Sequence, residues 1–98
     1  YFEGPMSVKV NADGTPFATS FSVDSVSWLA TGTYEVTFDR DITECTTVAT
    51  IDGHDGELVL GGQVTVTPSS ANANAVQIAT FDYSGAWVGL PFSLVVSC

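Results

Sequence analysis

Apolar and polar residues alternate with a period of two along most of the chain, and no window carries a helical period. Tyr34, Val36 and Phe38 alternate with Glu35, Thr37 and Asp39, the cleanest half-buried strand in the sequence. Cys45, Thr47, Ala49 and Ile51 make one face of another, with Thr46, Val48 and Thr50 on the opposite face. Val76, Ile78 and Thr80 alternate with Gln77, Ala79 and Phe81, and Phe92, Leu94, Val96 and Cys98 line one face of the last run. Nearer the start, Phe17, Thr19, Phe21 and Val23 share one face, followed by Val26, Trp28 and Ala30, so that Trp28 and Tyr34 are both expected in the core. Leu58 to Leu60 and Val64 to Thr67 read as two short arms around Gly61-Gly62.

Turn signals separate these runs at short intervals: Asp13-Gly14, Thr31-Gly32, Asp52-Gly53, Asp55-Gly56, Ser69 to Asn74 and Ser84-Gly85. Strands this short, with breaks roughly every 8–12 residues, predict an all-β antiparallel sandwich, jelly-roll-like or Ig-like, of about seven or eight strands. Abundant Val and Thr agree with that fold, and Pro68 and Pro91 fall at strand ends, where a missing N–H does little harm. Tyr1-Phe2-Glu3-Gly4-Pro5 ahead of Met6 reads as a remnant of a cleavable tag, the alternative being a native strand extension. The expected organisation is one sandwich domain over residues 6–98.

Charge sharpens this picture. The 98 residues include 11 Asp plus Glu against two basic residues, Lys9 and Arg40, for a net charge of −9. Such a chain repels a phosphate backbone and anionic lipid, which argues against nucleic-acid and membrane-surface binding. No apolar run approaches the ~20 residues of a spanning helix, so no membrane insertion is expected. A hydrophobic fraction of 45% excludes an acidic disordered tail. Sheet edges are commonly guarded by lysine, and Lys9 is the only one available, so the edges are either covered by loops and Pro or buried against other copies of the chain, the high apolar fraction leaning toward an oligomer.

Two cysteines allow one intramolecular pair, Cys45 with Cys98, and no C-x-x-C spacing suggests a metal. Closing that loop would contribute ~4 kcal/mol in the chain-entropy account, against a typical domain stability of ~5–15 kcal/mol. Two buried thiols remain the alternative. A disulfide implies an extracellular or cell- or virion-surface location.

Candidate chemistry is sparse. The single histidine, His54, lies in Asp52-Gly53-His54-Asp55-Gly56-Glu57, and no serine sits in a nucleophile context to join it, so no enzyme is expected. Asp52, Asp55 and Glu57 could gather the oxygens that calcium prefers, although the stretch lacks the EF-hand pattern, and no other cofactor is implied. Arg40 lies between Asp39 and Asp41 and is expected in a salt bridge with Asp41, or with Asp82 or Glu44, that holds a turn. Trp87 and Tyr83, beside Ser84-Gly85, are the aromatics expected to face a ligand or a neighbouring subunit.

Gly32-Thr33-Tyr34-Glu35-Val36-Thr37-Phe38-Asp39-Arg40-Asp41-Ile42 running into Cys45 and Ala49-Thr50 makes one notable stretch. Val76 to Asp82 before Ser84-Gly85, and Pro91-Phe92 leading to Val95, Val96 and Cys98, make another. Together, over about residues 20–98, these resemble small two-cysteine β domains of surface proteins of high-GC Gram-positive bacteria and of phage fibre-type proteins. The resemblance rests on spacing and the cysteine pair. It implies a C-terminal module, sometimes following a stalk, that homotrimerises or caps a fibre, and it brings no catalytic residues. The functions expected are therefore a structural or adhesive module or, alternatively, a carbohydrate-binding module using Trp87 and Tyr83.

Overall fold

A computed structural model describes residues 6–19, 23–52 and 62–97. Eight strands run in chain order: β1 (Met6–Val10), β2 (Pro16–Thr19), β3 (Val23–Ala30), β4 (Thr33–Phe38), β5 (Thr46–Ile51), β6 (Gln63–Pro68), β7 (Ala75–Phe81) and β8 (Phe92–Ser97). They form two four-stranded antiparallel sheets, which pack as a sandwich. Sheet A has the order β2-β1-β8-β5 and sheet B the order β3-β4-β7-β6. No helix occurs among the described residues.

The alternation in the sequence becomes the core. Tyr34, Val36 and Phe38 of β4 and Ile78 of β7 meet Val8, Val10, Phe92, Leu94 and Val96 of sheet A, all essentially without exposure. Tyr34 and Phe92 cross the gap between the sheets with ring centroids 5.1 Å apart and planes tilted by 56°, a geometry that places the edge of one ring toward the face of the other. The Tyr34 hydroxyl donates a hydrogen bond of 2.6 Å to the Ala12 carbonyl, which ties sheet B to the turn between β1 and β2. Burial pushes this phenol above its usual pKa.

Three expectations are corrected. Met6–Val10, which the alternation argument left without a strand, is a central strand of sheet A with Met6, Val8 and Val10 buried. The run from Phe17 to Val23 is divided: β2 ends at Thr19, β3 begins at Val23, and the two lie on edges of different sheets. Trp28 is 54% exposed. It sits opposite buried Tyr34, on the inward side of β3, but β3 is an edge strand and β2 beyond it is only four residues long. Alternation tells which face a residue points to and not how far the opposing sheet extends. The arm expected from Leu58 to Leu60 lies outside the described residues.

Pairing fixes the polarity of the sandwich. Met6 lies opposite Val96 and Val10 opposite Phe92. The start of β1 and the finish of β8 therefore leave from one end, together with loops 39–45 and 69–74. The opposite end carries turns 11–15 and 31–32 and the loop 82–91.

Candidate functional site

That opposite end is rich in exposed apolar side chains. Phe17, Trp28, Leu29, Tyr83 and Trp87 all lie on its turns or on strand segments next to them, and all are substantially exposed. Its backbone is tightly knit. Thr80 N–H donates to Gly32 O at 2.8 Å and Val88 N–H to Thr80 O at 3.3 Å, while the buried Thr80 hydroxyl donates to Val88 O. Gly32 has φ +74°, and a methyl group there would come within 2.8 Å of Thr80 O and 3.1 Å of Val88 N. Only glycine fits this crossing. A methyl group at Gly14 would likewise meet Trp28 Cβ at 2.7 Å, so the Trp28 side chain rests on the β1–β2 turn.

Asp82 organises the loop that holds the two candidate aromatics. Its Oδ1 accepts hydrogen bonds from Ser84 N at 2.8 Å, Ser84 Oγ at 2.6 Å and Ala86 N at 3.1 Å. Its backbone N–H reaches Ala86 O, and its carbonyl accepts from Gly85 N. These bonds hold the Asp82 carboxyl below the ordinary carboxylate range, the Ser84 hydroxyl contributing most. Tyr83 is the middle residue of this lock and stands 83% exposed. Trp87, 57% exposed, returns as an isolated antiparallel bridge to Phe81 and packs against its ring, centroids 4.6 Å apart and planes tilted by 49°. The loop thus presents a propped indole and a free-standing phenol on a pinned backbone. Its carboxylate is committed to the turn, so the arrangement offers stacking and hydroxyl hydrogen bonding rather than acid–base chemistry.

The Asp82 lock is one of three among the described residues. Asp13 Oδ1 accepts from the N–H and hydroxyl of Thr15, and Asp41 Oδ1 from those of Thr43. Both carboxyls are held below their ordinary pKa, chiefly by the partner hydroxyl. A D-x-[ST] pattern at 13–15, 41–43 and 82–84 was the available sequence signal for these side-chain turns. Three of the 11 acidic side chains thus also serve as turn architecture.

The other predicted site residues are dispersed. Arg40, Asp41, Glu44 and Cys45 border one shallow depression near the end that holds the start of β1 and the finish of β8. The Arg40 charge lowers the Asp41 pKa less than either Thr43 hydrogen bond does. Asp52 accepts from Ser93 Oγ and lies 4.0 Å from Lys9 Nζ. His54, Asp55 and Glu57 fall outside the described residues, and among those described no group of three or more His, Cys, Asp or Glu could hold a metal ion. Cys45 is the one cysteine among the described residues, and it is not free; Cys98 lies outside them. A cleft of about 270 Å³ at the Cys45 end is lined by Ile42, Cys45, Thr47, Pro68, Ala71 and Val76, with no charged side chain.

No family model, no curated protein and no solved structure matches the chain.

Proposed function

We propose that this chain is a non-enzymatic extracellular module, structural or adhesive, that self-associates as a homotrimer and serves as the tip or cap of a surface or fibre protein. The observation that carries the reading is the composition of its sheet edges. Among the described residues, strands β2, β3, β5 and β6 are the outermost of their sheets, and Asp24 is the only charged residue on them, in a chain of net charge −9. Lys9, the expected edge guard, is on central β1 and protects none of them. Edges without charge are ordinarily covered, and a second copy is the cover that suits an extracellular assembly module. Sedimentation velocity between about 1 and 100 µM tests this: an oligomer of constant mass supports it, and a monomer throughout removes the self-association.

A Cys45–Cys98 disulfide belongs to the same proposal. Thr46 pairs with Ser97 at the end of the β5–β8 ladder, and in the sequence Cys45 directly precedes the first of these residues and Cys98 directly follows the second. Directly opposed residues have Cα atoms ~4.5–5.5 Å apart, within the span of a disulfide. Alkylation without reductant should leave the mass unchanged, whereas labelling of both cysteines would remove the staple and weaken the extracellular assignment.

The aromatic loop favours a second reading, a carbohydrate-binding module. Trp87 backed by Phe81, with Tyr83 beside it, is the kind of pre-ordered apolar surface on which a sugar ring stacks. A glycan array with wild type and Trp87→Ala decides it: no hit, or hits indifferent to the substitution, would discard this reading.

A further inference from the structure

The ladders of sheet B arrange its outward side chains in rows. Phe81 on β7 lies opposite Gln63 on β6. Trp87 bridges to Phe81 from the β4 side, where Thr80 bonds both Gly32 and Val88. In the next row Ala79 lies between Thr33 and Thr65, and in the row after that Gln77 lies between Glu35 and Thr67. The residues that alternate with these, Tyr34, Val36, Ile78 and Thr80, are buried, so the rows stand on the solvent side of the sheet. Rows are ~6.6 Å apart along the strands and ~4.8 Å separates neighbours within a row. Ala79 carries only a methyl group, so the middle of the face is lower than the aromatic row on one side and the Glu35–Gln77 row on the other.

The polar groups on this face are available. Asp13, Asp41 and Asp82 are engaged by their own turns, whereas Gln63, Thr65, Gln77 and Glu35 take no part in side-chain hydrogen bonds among the described residues. Glu35 and Gln77 are directly opposed, with Cβ atoms ~4.5–5.5 Å apart. The carboxylate accepts two hydrogen bonds side by side and the amide both donates and accepts, a set that matches neighbouring hydroxyls on a pyranose ring. Trp87, propped by Phe81, suits the C–H face of such a ring. Other occupants match less well. A nucleic acid or an acidic glycan is repelled by Glu35 and by the net charge of −9. An apolar protein surface would strip water from Glu35 and Gln77 without pairing them, and an extended peptide adds to a sheet edge rather than a face.

We infer that the outer face of sheet B is a binding site for a neutral glycan chain, laid along β4 and β7 with one ring against Trp87, the next over Ala79, and its hydroxyls on Glu35 and Gln77. The inference rests on the carbohydrate-binding reading above and gives it a ligand class and a second set of contacts. Trp87 supplies contact area, while the Glu35–Gln77 pair fixes orientation and selects against acidic sugars. Tyr83 stands on the loop beyond Trp87, outside these rows.

The test is an array carrying neutral oligosaccharides (cellohexaose, xylohexaose and maltohexaose among them) beside uronate- and sialate-bearing glycans. It is probed with the intact chain and with variants, each checked for an unchanged far-UV spectrum. The wild type should bind neutral members and leave the acidic ones. Trp87→Ala and Gln77→Ala should each weaken the neutral hits about tenfold. Glu35→Lys should lose neutral hits and gain acidic ones, and Thr50→Ala, on the outer face of sheet A, should change nothing. If Glu35→Lys disturbs the fold, Glu35→Gln should still weaken the neutral hits. Neutral hits that fall with Trp87→Ala but are indifferent to Gln77→Ala and both Glu35 variants overturn the assigned face and leave the aromatic loop as the whole site. An equal loss with Thr50→Ala would also overturn it. A wild type that prefers acidic glycans overturns the ligand class. No hit, or hits indifferent to Trp87→Ala, overturns the underlying reading itself.

Discussion

Replacing Tyr34 by Phe separates the hydrogen bonding of the hydroxyl from the packing of the ring. The Tyr34 ring is fully buried on β4, packs edge toward face with Phe92 and sends its hydroxyl 2.6 Å to the Ala12 carbonyl in the turn between β1 and β2. Phe keeps the ring and removes only the oxygen. A hydrogen bond of this kind is worth ~1 kcal/mol net, and leaving a buried acceptor unpaired can raise the cost to ~3 kcal/mol. Ala12 is exposed, so its carbonyl can turn to water, and the lower figure applies. The expected loss is ~1 kcal/mol, or a fall in Tm of ~4–8 °C for a domain of this size. Tyr34→Ala should cost ~3–5 kcal/mol, because the ring goes too and the core around Phe92 is left with a cavity. Urea unfolding followed by far-UV circular dichroism, with m unchanged between wild type and Tyr34→Phe, measures both. A Tyr34→Phe loss below ~0.3 kcal/mol would refute the claim that this bond couples sheet B to the β1–β2 turn. A loss equal to that of Tyr34→Ala would refute the separation of bond from packing.

Gly32→Ala and Gly85→Ala share a left-handed backbone, φ +74° and +91°, but only the first meets neighbouring backbone; nothing lies within 4 Å of the second. Gly85→Ala should cost ~1 kcal/mol and Gly32→Ala clearly more, by the same urea assay. Asp13, Asp41 and Asp82 have folded-state pKa values below the ordinary 3.8. Their contribution is fully present above that pH and is lost as pH falls through the folded values. Stability should drop below about pH 4, and a triple Asp→Asn variant, which keeps the acceptor oxygens, should show a shallower drop over the same range. Leu94→Ala, at a fully buried position on central β8, should cost ~2.7–5 kcal/mol and remove a large part of the total.

The sequence showed which residues alternate, and through that the class of fold. Tyr34, Val36, Phe38, Leu94 and Val96 were legible as core because strands β4 and β8 are covered along their whole inward face. Trp28 was misread because coverage depends on where the opposing sheet stops, which no local pattern records. Strand β1 was missed because Met6 resembled a junction and five residues with one lysine make a weak signal, although its two neighbours in the sheet make it central. Trp87 and Tyr83 were legible as exposed from the turn residues beside them. Their support was not: the Phe81 ring under Trp87 and the Asp82 lock under Tyr83 need the loop to fold back on β7. The exposed valine pair on sheet A was invisible for a related reason. Val48 and Val95 are 47 positions apart in sequence and meet only through the register of β5 and β8.

The placement of β8 bears on how the chain reaches its fold. In sheet A the pairs are β2 with β1, β1 with β8 and β8 with β5, so β8 is the only link between the β1–β2 hairpin and β5. Met6 finds Val96 only across nearly the full described length. Sheet B can zip through β3–β4 and β6–β7 while sheet A still lacks its middle strand. Closure of one long loop therefore gates the second half of the core, which places the chain among slow-folding, high-contact-order β proteins. Until residues 92–97 dock, Val8, Val10 and the sheet B face opposite them stay open to water and to other chains, so a truncation within β8 should yield aggregate rather than a smaller stable sandwich.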